Sequence, residues 1–255
     1  MNVIELIARI NKFAPFSLAA EWDNCGLMVG SYDDEVRKIG VCLDATRMAV
    51  AEAVSKGCNV IVCHHPLIFK PLKKVTDDTE QGDTILLAAH SGTNIIAAHT
   101  NWDVAAKGVN ETLAKLLGLQ KIKVLDNETG LGAFGTLKEA MDTQKFLEHV
   151  KASWGLSHLA FYSHDMPEKI SRVALCGGSG GEYWIDALEN EADIYITADM
   201  KYHELADVLS DMNIALADHG EMERASLPEL VRQLSASKIE TILLDVKALP
   251  EPVRI

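Results

Sequence analysis

What this chain lacks narrows the field before anything it contains. No apolar run approaches the roughly 20 residues that a membrane-spanning helix needs, so no membrane role is expected. The opening MNVIELIARINKF has no basic start, long apolar centre or small-residue cleavage site, so it is not a secretory signal and a cytoplasmic location is expected. Five cysteines, Cys25, Cys42, Cys58, Cys63 and Cys176, form no CxxC pair and leave an odd count. That pattern suits small reduced thiols in a reducing cytoplasm, not a disulfide framework. Basic residues are in deficit: 24 Lys and Arg stand against 37 Asp and Glu, a formal net charge of −13. Such a surface argues against binding nucleic acid or anionic membrane non-specifically, while leaving room for one local cationic site. The glycine-rich CGGSGGEYW has neither GxGxxG spacing nor the Lys-Ser/Thr of a P-loop, so it reads equally as a phosphate-cradling turn or a plain tight turn.

What is present reads as alternating strands and helices. With 255 residues, 48% hydrophobic and 24% charged, the chain can bury a sizeable core in one large domain or two packed lobes. Val3, Leu6, Ile7 and Ile10 recur at the spacing of an amphipathic helix. RKIGVCLD (37–44), CNVIVC, TNIIAAHT, SRVALCGG (171–178), DIYITAD and NIALADHG are strand-like. TRMAVAEAVSKG, DTILLAAHSG (83–92), VNETLAKLLGL (109–119), EYWIDALENEA, HELADVLSDM and LPELVRQLSAS are helix-like. Strand, helix, strand at this spacing makes βαβ units and a largely parallel sheet. AVSKGCNVIVCHH also runs in step with ALENEADIYITAD, and IIAAHTNWD with IALADHGEME. The expected fold is therefore α/β: two intertwined, duplicated lobes with mostly parallel mixed sheets flanked by helices. The first repeat is expected over 1–125 and the second over 126–255, with accessory strands and a helix at about 126–168, the whole acting as one functional domain.

Polar residues capable of holding a metal gather at strand ends. His64 and His65 close one strand, His99 and Asp103 lie just past another, and His219 and Glu223 follow a third. The carboxyl ends of parallel strands open on one side, which is where ligand crevices form, so a metal site is expected there, between the lobes. Pro66 forces an extended turn after the histidine pair, and two adjacent imidazoles at a relaxed strand end can splay toward two ions. If each strand turns into a helix, His99 and Asp103 share a face, as do His219 and Glu223. Imidazoles and carboxylates without thiolate suit zinc, iron, manganese, cobalt or nickel, and do not suit calcium. Two cations about 3.5–4 Å apart need a bridging anion, a role assigned to Glu223. Singly, each residue has an ordinary alternative: Asp103 could cap a helix, His219 and Glu223 could be a solvated helix face. His203 lies near Asp199 and could adjoin the site, whereas His90, His149, His158 and His164 have no such neighbours. EWDNCGLMVG reads only as an ordered loop with polar side chains.

WDNCGLMVG, VCLDAT, VIVCHHPLIF, AAHTNWD, ALCGGSGG, ITADMKYHE and DHGEMER occur in that order over about residues 4–225. Together they resemble the Nif-three-like family, dinuclear-metal proteins often labelled GTP cyclohydrolase 1 type 2 homologs. The resemblance implies a duplicated α/β fold, two divalent metal ions and a ring-shaped homohexamer with sites facing an inner cavity. It places the ligands on His64, His65, Asp103, His219 and Glu223, with His99 close by. Two departures stand out: the family's Gly-His-Tyr is Asp218-His219-Gly220 here, and its Thr-Gly-Glu is Thr197-Ala198-Asp199. No domain is inserted between the halves as in some relatives. The expected function is a metal-dependent hydrolase acting on a small nucleotide-like or phosphorylated substrate, with His99 moving the proton. The alternatives are a non-catalytic iron or zinc carrier or regulator, and a scaffold whose ions only hold the lobes together.

Overall fold

A computed structural model describes residues 1–236 and 238–248. Helix α1 (Val3–Phe13) begins at Asn2, whose side chain accepts from the Glu5 N–H while Glu5 accepts from the Asn2 N–H, both at 3.0 Å. This reciprocal box closes two of the amide groups that a helix start leaves unsatisfied. Val3, Leu6 and Ile10 are buried along one stripe, as the 3.6-residue period requires. Strand β1 (Gly26–Val29) is followed by β2 (Lys38–Asp44), α2 (Arg47–Ser55), β3 (Val60–His65), α3 (Glu80–Ser91), β4 (Asn94–Ala97) and the single turn α4 (Thr100–Asp103). The chain continues through α5 (Val109–Leu116), β5 (Gln120–Val124), β6 (Ala133–Asp142), α6 (Thr143–Trp154), β7 (Leu159–Tyr162) and β8 (Lys169–Leu175). After these come α7 (Trp184–Glu189), β9 (Ile194–Thr197), α8 (Tyr202–Val208), β10 (Ile214–Ala217), α9 (His219–Arg224), α10 (Leu227–Ser235) and β11 (Glu240–Leu243).

These elements form two compact units: Met1–Ala106 together with the segment from Leu227 on, and Lys107–Ser226. The bounds differ from those of the repeats read from sequence, because α5 belongs to the second unit while α10 and β11 return to the first. Each unit has one sheet and its own core. The first sheet runs β1-β4-β3-β2-β11, parallel throughout except for β1 against β4. The second runs β5-β6-β8-β9-β10-β7, with β8, β9 and β10 parallel and every other pairing antiparallel. A shared plan is visible in both. Three parallel strands, β2-β3-β4 or β8-β9-β10, carry an antiparallel strand on the last of them, and that strand precedes all three in the chain. This is the duplication that the aligned segments imply.

The parallel strands are apolar almost end to end because helices cover both faces; Val60–His64 of β3 and all of β9 are buried. Ile61, Cys63, Ile95 and Ala97 pack with Ala49, Val50 and Ala88 in the first core. Ala174, Tyr195, Ile214, Leu205 and Val208 do so in the second. Two strands, β1 and β11, were not anticipated from sequence, and β5 and β7 only as unplaced accessory strands between the halves. All four are sheet edges, only four or five residues long and without a single buried residue. An edge strand needs no continuous apolar run, so the signal by which central strands are recognised is missing.

Candidate metal centre

In the first unit β2, β3 and β4 run parallel, so their carboxyl ends share an edge. That edge carries Asp44, then His64 and His65, then Ala98 and His99. The histidine pair ends β3 immediately before Pro66, and its two rings lie with centroids 5.0 Å apart, tilted by 45°. The ring of His99 sits 5.1 Å from that of His64 and 5.6 Å from that of His65. One ring nitrogen from each of the three lies within 4.8 Å of the others, close enough to serve a metal ion.

Hydrogen bonds decide which nitrogen each ring offers. His64 Nδ1 donates to the Ala98 carbonyl at 3.0 Å, His65 Nδ1 to Asp44 Oδ1 at 2.7 Å, and His99 Nδ1 to Asp23 Oδ1 at 2.9 Å. An oxygen acceptor on Nδ1 holds the proton there and leaves the lone pair on Nε2, the usual arrangement around metal-ligating imidazoles. Asp103 is at the end of α4, its N–H bonded to the His99 carbonyl at 3.0 Å, and its Oδ1 lies 3.5 Å from His64 Nε2. It caps nothing downstream, since α5 begins behind Gly108. The pairing of His99 with Asp103 on one helical turn is therefore as expected from their spacing.

Asp23 was legible only as part of an ordered loop. Its buried carboxylate accepts from His99 Nδ1, the Thr100 N–H, the Thr100 hydroxyl and the Cys25 thiol. Burial alone would raise its pKa, but these donors outweigh it and hold the carboxyl well below the usual range. Burial and the adjacent carboxylate push the Cys25 thiol up to about 12. Asp44 likewise escaped sequence reasoning as an orienting group, although it stands in the quoted VCLDAT.

The second unit repeats the device with other residues. His219 opens α9 behind Asp218, whose side chain accepts from the Glu221 N–H at 3.0 Å and so caps the helix. One turn on, Glu223 Oε2 lies 3.2 Å from His219 Nε2. His219 Nδ1 bonds Asp199 Oδ2 at 2.7 Å, and the Ser179 hydroxyl donates to the same oxygen at 2.7 Å. Glu223, then Asp199, push the His219 pKa up to about 9 against the opposing effect of burial. Both departures from the family pattern thus have a physical place: Asp218 is a helix cap, and Asp199 orients an imidazole.

The glycine-rich segment is a close-approach turn. The Gly177 N–H bonds Asn110 Oδ1 at 2.8 Å and the Gly180 N–H bonds Thr197 Oγ1 at 3.1 Å, so both are turned inward. Gly178 has φ +67°, and a Cβ there would stand 2.2 Å from Glu223 Oε1. The absent side chain is what lets the carboxylate lie against the turn. His203 is exposed on α8 with its ring 5.3 Å from Tyr202, and among the described residues it joins no cluster able to hold a metal. His149 bonds the Leu117 carbonyl and His158 the Ser157 hydroxyl, as ordinary structural histidines.

A duplicated α/β chain that collects imidazoles and carboxylates at the carboxyl ends of its parallel strands carries side-chain groups that could hold a metal ion. Residues 1–250 match the Duf34/NIF3 (NGG1p interacting factor 3) family, and the chain belongs to it. It is 40% identical to a GTP cyclohydrolase 1 type 2 homolog of Lactococcus lactis, over 97% of this chain and 95% of the relative. A Methanocaldococcus jannaschii protein of the same description is 30% identical over 96% of this chain and 100% of its own. Among solved structures, a Staphylococcus aureus protein superposes with TM-score 0.92 at 28% identity, covering 100% and 99% of the two chains. A Bacillus cereus protein related to NIF3 gives TM-score 0.91 at 25% identity, with the same coverage.

Proposed function

We propose that this chain holds two divalent ions and uses them to hydrolyse a small phosphorylated or nucleotide-like substrate, the class suggested by the description its Lactococcus relative carries. The observation that carries the reading is the trio His64, His65 and His99: three ring nitrogens within 4.8 Å, each ring's Nδ1 turned to an oxygen. His64, His65, Asp103, His219 and Glu223 are the proposed ligands, with Glu223 shared by both ions. The donors fit: they are nitrogen and oxygen only, which matches zinc, iron, manganese, cobalt or nickel. Bound ions would supply Lewis acidity toward an electrophilic carbon or phosphorus and toward the water that attacks it.

The chain's own residues do the rest. Ala98 and Asp44 fix the rings of His64 and His65. Asp199 fixes His219 through Nδ1, and the proton held between His219 Nε2 and Glu223 is what a cation replaces. Asp23 anchors His99 and stays ionised, so His99 Nε2 is the atom that takes up and returns a proton. Two divalent ions against two carboxylates leave a doubly positive centre in a chain of net charge −13, which favours an anionic substrate. The test is elemental analysis of protein purified without chelator, followed by turnover assays on nucleotides and pterin precursors. Two ions per chain and hydrolysis abolished by His64→Ala and by Glu223→Ala are expected; turnover unchanged in both variants overturns the reading.

One observation favours a second reading, an iron or zinc carrier. The side chains of His65 and His219 are 25% and 32% exposed, which favours ion exchange with solvent. A carrier releases its ions faster than any substrate turns over, so dissociation rates measured with a competing chelator separate the two. A ring-shaped homohexamer in the cytoplasm completes the proposal; sedimentation of the purified protein at six times the chain mass of 27.9 kDa checks the assembly.

A further inference from the structure

We infer that Trp22, backed by Phe69, is the platform on which a planar heteroaromatic ring of the substrate stacks beside His99. Trp22 is 64% exposed and Phe69 44%. Their rings meet edge to face, with centroids 5.9 Å apart at 68°, and each lies near His99, at 6.4 and 6.3 Å. Two large aromatics left open to water beside a polar cluster mark a surface that a ligand covers.

The platform is rigid although it is exposed. Asp23, next to Trp22 in the chain, is tied down by His99, Thr100 and Cys25. Asn24 donates through Nδ2 to the Ile68 carbonyl at 2.5 Å, which couples the Trp22 loop to the segment bearing Phe69. Ordering a tryptophan in this way costs conformational entropy that its own packing does not return, whereas a preorganised ring lowers the cost of binding another. Because Trp22 and Phe69 touch edge to face, no slot opens between them. The ligand therefore lies on the open face of Trp22, with Phe69 propping the indole from its edge. A cationic partner for the indole is disfavoured, since the adjoining proposed centre is itself positive. What fits is a neutral or anionic ring of purine or pterin size, whose π-face stacks on an aromatic side chain whatever its substituents.

This assignment rests on the reading of His99 as a group that meets substrate, and its test reads binding, not turnover. Guanosine 5′-monophosphate and ribose 5-phosphate, which differ by the base alone, are titrated against metal-loaded and chelator-treated full-length protein by calorimetry. Wild type is expected to prefer the nucleotide by at least tenfold in both preparations, because Trp22 is held by Asp23 and Asn24. Trp22→Ala is expected to weaken nucleotide binding about 5- to 150-fold, the range of one base–aromatic stack, and to leave ribose 5-phosphate within twofold. Trp22→Phe restores most of the preference. Equal affinity of wild type for the two probes, or a preference that survives Trp22→Ala in protein with an unchanged melting temperature, overturns the inference. Failure of the wild-type protein to take up any divalent metal, with the base preference intact, would instead strike the proposed centre and leave the platform standing.

Discussion

Replacing Gly178 by alanine separates the stability of the fold from the geometry of its site. Gly178 sits at φ +67°, where an L side chain costs about 1–2 kcal/mol. Its new Cβ would stand 2.2 Å from Glu223 Oε1, and 3.2 Å from both Glu223 Cδ and His219 Cε1. The first collision involves the tip of a side chain with three rotatable bonds, so it is relieved by swinging the carboxylate aside and adds little to the backbone cost. For a chain of this length the melting temperature is then expected to fall by about 2–8 °C. The functional cost is larger. Glu223 Oε2 leaves its place 3.2 Å from His219 Nε2, and the contact named first among the causes of the raised His219 pKa goes with it. Changing groups that merely orient a ligand costs 10- to 100-fold in metal affinity; displacing Glu223 is expected to cost more than about 100-fold. Calorimetric zinc titration of the chelated protein reads the affinity, and NMR titration of His219 reads the contact, with its pKa moving from about 9 toward the ordinary 6.5. A Gly178→Ala protein that melts within this window yet binds zinc as wild type does, with His219 still titrating near 9, refutes the reasoning.

Three further outcomes can be checked directly. Since the His219 pKa is raised, its stabilisation in chelated protein is complete below pH 6.5 and disappears as the pH climbs through about 9; melting curves across that window should fall, and zinc binding at pH 7.5 should release a proton, seen as buffer-dependent calorimetric heats. Asp23→Asn leaves the donors of His99, Thr100 and Cys25 competing for a single neutral oxygen; a loss of about 2–3 kcal/mol in urea unfolding is expected, with turnover falling further than metal content, and a variant as stable as wild type would discount the network. The Cys25 thiol, pushed up to about 12, should resist iodoacetamide at pH 8 in the native protein and react once unfolded; rapid native labelling, located by mass spectrometry, would contradict that assignment.

The elements most legible in the chain are those whose residues are buried on every side. VIVC and DIYIT announce central strands because a parallel sheet covered on both faces requires unbroken apolar runs, and the duplication could be read from the turns and polar ends that flank them. The strands least legible are the four edges, β1, β5, β7 and β11, where half the backbone faces no neighbour and composition is unconstrained. At the site the same division holds. His99 with Asp103 and His219 with Glu223 announce themselves because four residues is one helical turn. Asp23 does not, since its partner lies 76 positions away, and neither does Asp44, bonded to His65 across 21.

The order of residues by itself determined the alternation of strands and helices, the repeat, and which histidines and carboxylates stand at strand ends. All of these follow from periodicities of two and 3.6 that a local stretch of chain expresses alone. Only the tertiary structure decided which ring nitrogen each histidine presents, because that depends on an acceptor brought in from a distant part of the chain: Ala98 for His64, Asp44 for His65, Asp23 for His99 and Asp199 for His219. It also decided that Gly178 must be a glycine, since the atom its side chain would strike belongs to Glu223, 45 residues further along. Hydrogen-bond direction and steric exclusion act over a few ångströms between groups that the linear sequence keeps far apart.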